Sequence, residues 1–424
     1  MANPCSQFFS GTINVERDNP MSIRLLGDIW AIEEEISIAP FQGSSSISIA
    51  NLETPIISSE QLASPRMKAG PTIRGWSKSL EKTKEWREEL QCLTLANNHT
   101  MDYGAIGLQE TIRTCRNNGI KTIGAGKNLA VAEAPAIFDI ADIRIGIISC
   151  CETQFGIAGL SRAGTAPFTS RIYQAIKCLK IQVDFVVVSV HGAAEMSPWP
   201  SPYWQDKLRS LVDVGANLIH GHHAHVPQGY EVYKHGLIFY GLGNFLVNPL
   251  KWEGQDNTLW SIVSNCPLSS NYSKHKNLES SAIGTSVISQ SEGIICVRPS
   301  SKPELKSHLR YIEKCNAPLH DKVLLIGLWQ EFSIWIYNEW YAKELGFYYK
   351  NRKIGHVLRN TLKDIKENLS NKKTMERNLL RYLFLTCESH REAITTALAL
   401  YSEEIEDLRT PTTKKILHST ISSF

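Results

Sequence analysis

From residue 23 to residue 249, short runs of β-branched residues alternate with longer amphipathic stretches. Runs such as Val186-Val187-Val188 have no polar face, which is typical of strands in a sheet covered by helices on both sides. This alternation predicts an α/β fold with a layered αββα architecture. The predicted strands are Ile23–Leu26, Ser46–Ala50, Cys92–Leu95, Ile143–Ser149, Phe185–Val190 and Leu218–Ile219, then a hairpin of Tyr230–Tyr233 and Leu237–Tyr240. The predicted helices are Ser77–Leu90, Ala105–Asn118, Ser170–Ile181 and Tyr203–Val214.

The composition of the 424 residues is that of an ordinary globular protein, with 42% hydrophobic and 21% charged residues. It excludes a disordered or fibrous chain. The net charge of +3 gives no reason to expect a nucleic-acid partner. No run reaches the roughly 18 apolar residues of a membrane helix, and the amino terminus lacks the features of a secretory signal. Ten scattered cysteines without a Cys-x-x-Cys pair fit a reducing compartment. We therefore expect a cytoplasmic protein with no membrane span.

Changes in composition divide the chain into three parts. Residues 1–21 are expected to be disordered or loosely ordered, and residues 22–300 to form the α/β domain. Within that domain, the Ser-, Asn- and Lys-rich stretch 265–291 is predicted to be an insertion or linker. A strand at Gly293–Val297 is expected to follow it and return to the sheet. Residues 301–424 are expected to form a helical C-terminal region that covers the mouth of the site as a lid.

Two further patterns concern this C-terminal region. Ser389 and Glu392 have the spacing of a capping box, which predicts a last helix that ends at about Ile405. The stretch Lys343–Arg381 carries a local excess of basic residues. We interpret it as a solvated helical face, and the alternative is that it attracts an anionic peptide, polymer or phosphate ester.

Five short polar clusters each follow a predicted strand. Loops at the carboxyl ends of parallel strands face one crevice, so clusters that are about two hundred residues apart can meet there. Carboxylate and amide oxygens together with imidazole nitrogens are suitable ligands for zinc or a transition metal. The pattern therefore predicts a metal site at one sheet edge. The clusters are Asp28; Asn51-Leu52-Glu53; Asn97-Asn98-His99 with Asp102; His191; and His222-His223-Ala224-His225.

Taken in order, the motifs of this region resemble those of the CapA family, which is named for capsule poly-γ-glutamate synthesis. The resemblance covers about residues 23–249 and implies a calcineurin-like metallophosphoesterase sandwich. Each motif alone is weak, whereas the full set in order is specific. The motifs are Leu26-Gly27-Asp28, Asn51-Leu52-Glu53-Thr54-Pro55, the run from Ala96 to Gly104, Gly124-Ala125-Gly126, His191, Gly221-His222-His223-Ala224-His225-Val226 and Gly243-Asn244-Phe245.

The resemblance implies one or two divalent ions, with Mn, Zn, Fe and Ca all open. Asp28 would bind the first metal, and Glu53 would take the bridging carboxylate position. Asn98, His191 and His223 would bind the second metal. His225 would bind the first metal.

The same resemblance implies a general acid, His99, oriented by Asp102, since the pKa of an imidazole lies near neutral and a carboxylate can tune it. His191 is a further catalytic candidate. Many phosphoesterases have a histidine where this chain has Trp30, and the loss of that ligand leaves a mononuclear site open. The residues expected to line the substrate pocket are Trp30, Glu195, His222 and Asn244.

The expected function is metal-dependent hydrolysis or transfer on a phosphorylated or γ-glutamyl substrate, in capsule polymer or peptide biosynthesis. Its partners would be an anionic polymer, peptide or phosphoester, and a second copy of the chain is compatible with the sequence. One alternative is metal-assisted epimerisation of a precursor peptide, with His99 and groups near His191 as paired bases. Another is a non-catalytic assembly subunit of a polymer synthetase, which the tryptophan at position 30 favours.

Overall fold

The computed structural model describes residues 12–15 (backbone only), 21–30, 34–41, 47–59, 63–77, 90–268, 281–345 and 371–421. Its strands are β1 Thr12–Val15, β2 Ser22–Ile29, β3 Glu35–Ile38, β4 Ile47–Leu52, β5 Ile56–Ile57, β6 Gly75–Trp76, β7 Cys92–Thr94, β8 Lys121–Ile123, β9 Ala125–Gly126, β10 Ala136–Ile140, β11 Ile143–Cys151, β12 Gly164–Thr165, β13 Phe185–His191, β14 Leu218–His222, β15 Tyr230–Tyr233, β16 Gly236–Phe239, β17 Asn244–Leu246, β18 Trp260–Pro267, β19 Ala282–Ser291 and β20 Ile294–Pro299. Its α-helices are α1 Gly104–Asn117, α2 Leu129–Ala132, α3 Arg171–Lys180, α4 Pro202–Asp213, α5 Lys302–Asn316, α6 Lys322–Ile336, α7 Ala342–Leu345, α8 Asn371–Thr386, α9 Glu388–Tyr401 and α10 Pro411–Thr420.

Two mixed β-sheets lie at the centre of the fold. The first has the strand order β1-β10-β11-β13-β14-β16-β15, and the second has the order β3-β20-β19-β18-β2-β4-β7-β8, with β17 beside β2. Strands β11, β13, β14 and β16 run parallel in the first sheet. Strands β2, β4, β7 and β8 run parallel in the second. Each sheet therefore has a set of carboxyl strand ends at one edge.

Successive side chains of each strand point to opposite faces of its sheet, and this alternation produces the layers. Phe185 and Val187 of β13 belong to the buried cluster between the two sheets, which also holds Ile47 and Ile49 of β4. The alternate residues of β13, such as Val188, pack with helices α3 and α4 on the outer face. Helix α1 covers the outer face of the second sheet. The prediction of an αββα sandwich with a helical C-terminal region is confirmed.

The predicted elements agree with the observed ones to within a few residues where the structure describes them. The hairpin is confirmed as the antiparallel pair β15 and β16. Most of the predicted helix Ser77–Leu90 lies outside the described residues. In the part of the chain that the structure describes, no helix is both long and apolar enough to cross a membrane.

The linker prediction for residues 265–291 is wrong at both ends of that stretch. Strands β18 and β19 pair antiparallel there, and β18 also pairs with β2. The small polar residues are compatible with a buried sheet because they satisfy one another: the hydroxyl groups of Ser261 and Ser286 lie 2.7 Å apart in the interior. Residues 269–280 lie outside the described residues.

The expectation of a disordered or loosely ordered amino terminus is wrong for Thr12–Val15, because this segment forms a strand that pairs in parallel with β10. The rest of residues 1–20 lies outside the described residues. An added strand satisfies the backbone hydrogen bonds of a sheet edge, which composition alone does not reveal.

The C-terminal region begins directly after the last strand. Helix α5 starts with a capping box of Ser301 and Glu304. The later helices share a hydrophobic cluster that includes Leu328, Phe332 and Ala393 together with Trp199 from the α/β domain. The helical region therefore packs on the sandwich through a common apolar core.

The capping box predicted at Ser389 is wrong. The N-cap of helix α9 is Cys387, two residues before Ser389. The Ser389 and Glu392 side chains bind Glu152 and Ser201 of the α/β domain instead of capping their own helix. Nor is α9 the last helix, since α10 follows it. Tertiary contacts thus take the two side chains that the local pattern assigned to the helix end.

Candidate metal centre

The centre forms where the carboxyl ends of β2 and β4 meet those of β13 and β14. Asp28 is the register partner of Asn51 across β2 and β4, and His191 is the partner of His222 across β13 and β14. Side chains from both sheets therefore converge on one edge. Asp28, Glu53, His191 and His223 are each at most 1% exposed.

Asp28 is held in place on both sides. Its Oδ1 accepts a hydrogen bond from the Asn51 amide at 2.8 Å, and its Oδ2 accepts one from the backbone N–H of His223 at 3.2 Å. The backbone N–H of Asp28 donates to the carbonyl oxygen of Gly243. Burial acts to raise the pKa of Asp28, but the His222 imidazole overcomes it and keeps the pKa below its usual value.

Glu53 follows β4 and is fully buried. Among the residues that the structure describes, neither of its carboxylate oxygens has a hydrogen-bond partner. Oε1 lies 3.3 Å from Nε2 of His191 and 3.9 Å from ring nitrogens of both His223 and His225. A buried carboxylate without hydrogen-bond donors is costly. Its neighbouring histidines nevertheless hold the pKa of Glu53 well below the usual value, against the effect of burial.

These residues fit a divalent cation. Ligand atoms lie within 4.8 Å of one another in three overlapping groups of the described residues. Oxygen and imidazole donors of this kind suit Mn, Fe or Zn, and the bare oxygens of Glu53 supply the negative charge that such an ion requires. The groups are Glu53, His191 and His223; Glu195, His223 and His225; and Asp28, Glu53 and His225.

The loop after β14 presents two histidines with unusual backbone angles. His223 has φ +92° and His225 has φ +59°, a region that costs a non-glycine residue about 1–3 kcal/mol. Nδ1 of His225 lies 3.0 Å from Oδ1 of Asn244, whose amide nitrogen donates to the Thr258 carbonyl. The Asn244 oxygen therefore accepts from His225, which leaves Nε2 of the ring directed at Glu53. Metal-binding histidines are commonly oriented in this way.

His191 and Asn98 lie side by side. Nε2 of His191 is 3.1 Å from Oδ1 of Asn98, and Nδ1 is 3.2 Å from the Asn51 amide nitrogen. Burial lowers the pKa of His191 to about 4, so this ring is neutral at pH 7 and available as a ligand. Burial also lowers the pKa of His223, but three carboxylates, Glu53, Glu195 and Glu152, together raise it to about 9.

His99 lies at the edge of this cluster beside Asp102. Its Nδ1 is 2.8 Å from Oδ2 of Asp102, which also accepts the backbone N–H of Ile73. The ammonium group of Lys68 lies 2.5 Å from the other Asp102 oxygen and 3.0 Å from Nδ1 of His99. We assign the Nδ1 proton of His99 to the bond with Asp102, which leaves Nε2 for a ligand. Burial and the charge of Lys68 lower the pKa of His99.

Two of the four predicted pocket residues lie at the mouth of the site. The Glu195 side chain is 41% exposed, and its carboxylate lies 3.7 Å from Nε2 of His223. Trp30 packs edge-on against Trp252, with ring centroids 5.4 Å apart, and its ring faces that of His99 at 6.4 Å. The predicted substrate contacts of Glu195 and Trp30 stay predictions.

The other two predicted pocket residues lie behind the ligands. His222 is 1% exposed, and its Nδ1 is 2.9 Å from Oδ1 of Asp28. Asn244 is fully buried and bonded to His225. Each of these side chains lies against a candidate ligand, and the predicted substrate contacts of His222 and Asn244 stay predictions. Alternate side chains of β14 point between the sheets, which is why His222 faces Asp28.

Several residues of the centre were missed from the sequence. Glu152 follows β11 and obeys the same strand-end rule as the predicted ligands, so the pattern could have identified it. Lys68 lies in an irregular loop, and Ser389 belongs to the distant helix α9. Neither position carries a local sequence signal.

Two sheets between helices, with carboxylates and imidazoles gathered at their strand ends, define a layered αββα protein with a candidate metal centre. The chain belongs to the PGA_cap family of bacterial capsule synthesis proteins, whose family model matches residues 27–249. This membership confirms the resemblance found in the sequence.

Two relatives and one solved structure illustrate the similarity. The capsule biosynthesis protein CapA of Bacillus anthracis is 27% identical over 65% of this chain and 72% of its own length. The PGA biosynthesis protein CapA of Bacillus subtilis is 32% identical over 39% of this chain, but the match spans only 45% of that relative. A structure described as a novel phosphatase of Mycoplasma pneumoniae is 14% identical, with a TM-score of 0.39 over 68% of this chain and 97% of its own.

Proposed function

We propose that this protein is a metal-dependent hydrolase that cleaves a phosphoester or a γ-glutamyl bond of an anionic substrate in capsule polymer or peptide biosynthesis. The observation that carries the proposal is the buried Glu53 carboxylate, whose bare oxygens face His191, His223 and His225. A group of this charge and geometry is suited to hold a cation rather than to stabilise an apolar core.

The residues that would hold the metal are Asp28, Glu53, Asn98, His191, His223 and His225. When bound, a divalent ion would supply Lewis-acid activation of water and of the scissile group at neutral pH. The described carboxylates give the centre an excess of negative charge. An anionic substrate would therefore bind well only after a cation has neutralised them.

The chain's own residues would then act on the leaving group and the solvent. In its protonated, imidazolium form, His99 would donate a proton from Nε2 to the leaving atom, while Asp102 fixes the ring through Nδ1. Lys68 holds the second oxygen of Asp102 and so fixes the pair. Trp30 and Trp252 would exclude water at the mouth of the site. A positioned acid of this kind contributes about 10²- to 10⁴-fold to a rate.

The experiment that tests this function uses the full chain purified without chelator. We expect elemental analysis to find one or two equivalents of Mn, Fe or Zn. We also expect turnover of bis(p-nitrophenyl) phosphate, p-nitrophenyl phosphate or a γ-glutamyl oligomer. Glu53→Gln should lose both metal and turnover, whereas Glu404→Gln, at an exposed position, should keep both.

The outcomes separate the alternatives. A protein that binds no metal and turns over none of these substrates would contradict the proposal and favour an assembly subunit. Deuterium uptake at a peptide Cα from heavy water, without bond cleavage, would instead indicate epimerisation. Among the residues that the structure describes, no contact favours either alternative over hydrolysis.

A further inference from the structure

A buried carboxylate outside the predicted ligand set lies against the candidate centre. Glu152 follows β11 and is 0% exposed, and its backbone N–H donates to the carbonyl oxygen of His191 at 3.0 Å. Its Oε1 is 3.6 Å from Nε2 of His223. Glu152 therefore lies beside one candidate ligand along the backbone and faces another with its side chain.

The His223 ring lies among three carboxylates. Its Nδ1 faces Glu53 at 3.9 Å, within the group formed with His191. Its Nε2 faces the fully buried Glu152 at 3.6 Å and the Glu195 carboxylate, at the mouth of the site, at 3.7 Å. A histidine that binds a metal through one ring nitrogen usually donates the other N–H to a carboxylate or carbonyl oxygen. Glu152 is in the position of that acceptor, with Nδ1 of His223 directed at the cation.

Glu152 is itself held by the C-terminal region. The backbone N–H of Ser389 donates to Oε2 at 2.9 Å, and the Ser389 hydroxyl donates to Oε1 at 3.0 Å. The Gln154 amide adds a third donor at 2.6 Å from Oε1. Ser389 lies in the first turn of α9, where unpaired backbone N–H groups favour a negative charge.

Helix α9 depends on this contact because its own cap is poor. Its N-cap residue is Cys387, which makes no side-chain capping bond within the described part of the chain. Two more contacts fix the same end of the helix: Glu388 pairs with Lys207, and the Ser201 hydroxyl donates to Glu392 at 2.7 Å. The first turn of α9 is thus docked beside the metal centre.

We propose that Glu152 is a positioning residue that orients His223 for metal binding, and that Ser389 of helix α9 fixes Glu152 in that role. The C-terminal region is then part of the metal centre, although it lies beyond the residues that the family model matches. This inference rests on the proposed function, because it requires that the centre binds a metal.

The test measures Mn²⁺ affinity of the metal-stripped full chain by competition with a metal-indicator dye. Glu152→Gln should weaken Mn²⁺ binding about 10- to 100-fold, as is typical when the partner of a ligand is lost. Ser389→Ala, which removes one of three donors, should weaken it several-fold. Glu392→Gln is the matched control, since it alters another docking contact of the same helix turn and should leave affinity unchanged.

A double variant distinguishes positioning from general loosening of the fold. If Ser389 acts through Glu152, then Ser389→Ala should have no further effect on affinity in the Glu152→Gln background. The absorption spectrum of the Co²⁺-loaded protein should change in Glu152→Gln and stay the same in Glu392→Gln. Thermal melting of each metal-free variant shows whether it is folded.

Each outcome is decisive. Wild-type affinity in Glu152→Gln, or additive losses in the double variant, would overturn the inference while the proposed function stands. If Glu152→Gln does not fold, unchanged affinity in Ser389→Ala overturns it in the same way. A wild-type protein that binds neither Mn²⁺ nor Co²⁺ would instead contradict the proposed function itself.

Discussion

At the scale of single residues, the rings of the candidate centre differ in what surrounds them. Nδ1 of His225 is bonded to Asn244, His191 lies between Asn98 and Asn51, and His99 is paired with Asp102. His225 and His191 also lie close to Glu53. His99, in contrast, belongs to none of the three groups of described residues that could hold an ion. His99 is therefore the ring that can be changed with the least effect on metal binding.

We predict that His99→Asn reduces the rate of hydrolysis about 10²- to 10⁴-fold, because the leaving group loses its proton donor. The wild-type rate should fall as the pH rises and the imidazole loses its proton. The residual rate of His99→Asn should lack that decline. The decline is checked by measuring the rate of hydrolysis as a function of pH for both proteins.

Metal content is the control for the His99 variant. Elemental analysis should give the same number of equivalents in His99→Asn and in the wild-type protein. A variant with normal metal content and a normal rate would show that His99 is not the acid.

Gly27 illustrates how the backbone itself sets the position of Asp28. A Cβ atom at Gly27 would lie 2.0 Å from the carbonyl oxygen of Gly243, the atom that accepts the backbone N–H of Asp28. We predict that Gly27→Ala destabilises the protein by about 1–3 kcal/mol or more through overpacking. It should also weaken metal binding, because Asp28 must move. Chemical denaturation and metal titration measure the two effects.

Gly284→Ala is the matched control within the same sheet. There the nearest atom to a new Cβ is the Val263 carbonyl oxygen at 3.7 Å, an ordinary contact. Its stability should be unchanged or slightly higher, because alanine loses less conformational entropy than glycine. Equal stability of Gly27→Ala and the wild type would show that the two strands can separate at no cost.

The candidate ligands could be predicted from the sequence because one rule, polar residues after parallel strands, applies to all of them. The structure brings Asp28, Glu53, His191, His223 and His225 together as that rule requires. The roles of His222 and Asn244 could not be read in this way. They depend on the direction of each side chain, which is set by strand register and by the neighbouring sheet.

At the scale of elements, helix α9 is joined to the α/β domain through three side chains of its first turns. One of them, Glu392, is a partly buried acid, and the loss of hydration raises its pKa to about 7. Glu152 and Glu388 act in the same direction, whereas the Ser201 hydroxyl and Lys207 oppose them. Above that pKa the helix therefore carries a partly buried negative charge on Glu392.

This shift predicts a pH dependence of stability with a definite sign. The folded pKa lies above the unfolded one, so the folded state binds more protons between about pH 4.5 and pH 7. The contribution of Glu392 to stability is then present at low pH and is lost as the pH rises through about 7. Glu392→Gln should remove this loss. The free energy of unfolding of Glu392→Gln, taken relative to that of wild type, should therefore rise by on the order of 1–2 kcal/mol from pH 5 to pH 8.

Urea denaturation of both proteins at pH 5 and pH 8 measures that difference. Glu404→Gln, an exposed position after the same helix, controls for the general effect of removing a negative charge. A constant difference in stability between wild type and Glu392→Gln across this pH range would contradict the prediction.

Strand and helix positions could be predicted from local patterns, but the strands β18 and β19 could not. Their serines and asparagines are typical of loops, and they are tolerated in the sheet because hydroxyl groups such as those of Ser261 and Ser286 bond to each other across the strands. Likewise, the polar side chains of α9 resemble a local cap, whereas their partners Glu152 and Ser201 are supplied by the other domain. Contacts between distant segments carry no local signal.

At the scale of the whole molecule, the sheets and the C-terminal helices meet around the candidate centre. β2 and β4 supply carboxylates, β13 and β14 supply imidazoles, and α9 reaches the same place through Glu152. The layered sandwich was predictable from the alternation of strands and helices. The approach of α9 was not, since Ser389 is 237 residues from Glu152 along the chain.

Because the ligands come from both sheets, a bound cation should link the layers and stabilise the whole fold. A ligand that binds only the folded state adds about 2.7 kcal/mol at one hundred times its dissociation constant. We therefore predict that Mn²⁺ raises the melting temperature of the metal-stripped protein by several degrees and that chelator reverses the shift. Glu53→Gln should melt at one temperature with and without Mn²⁺, since it lacks the carboxylate that two of the three groups share. A shift of equal size in that variant would place the cation elsewhere.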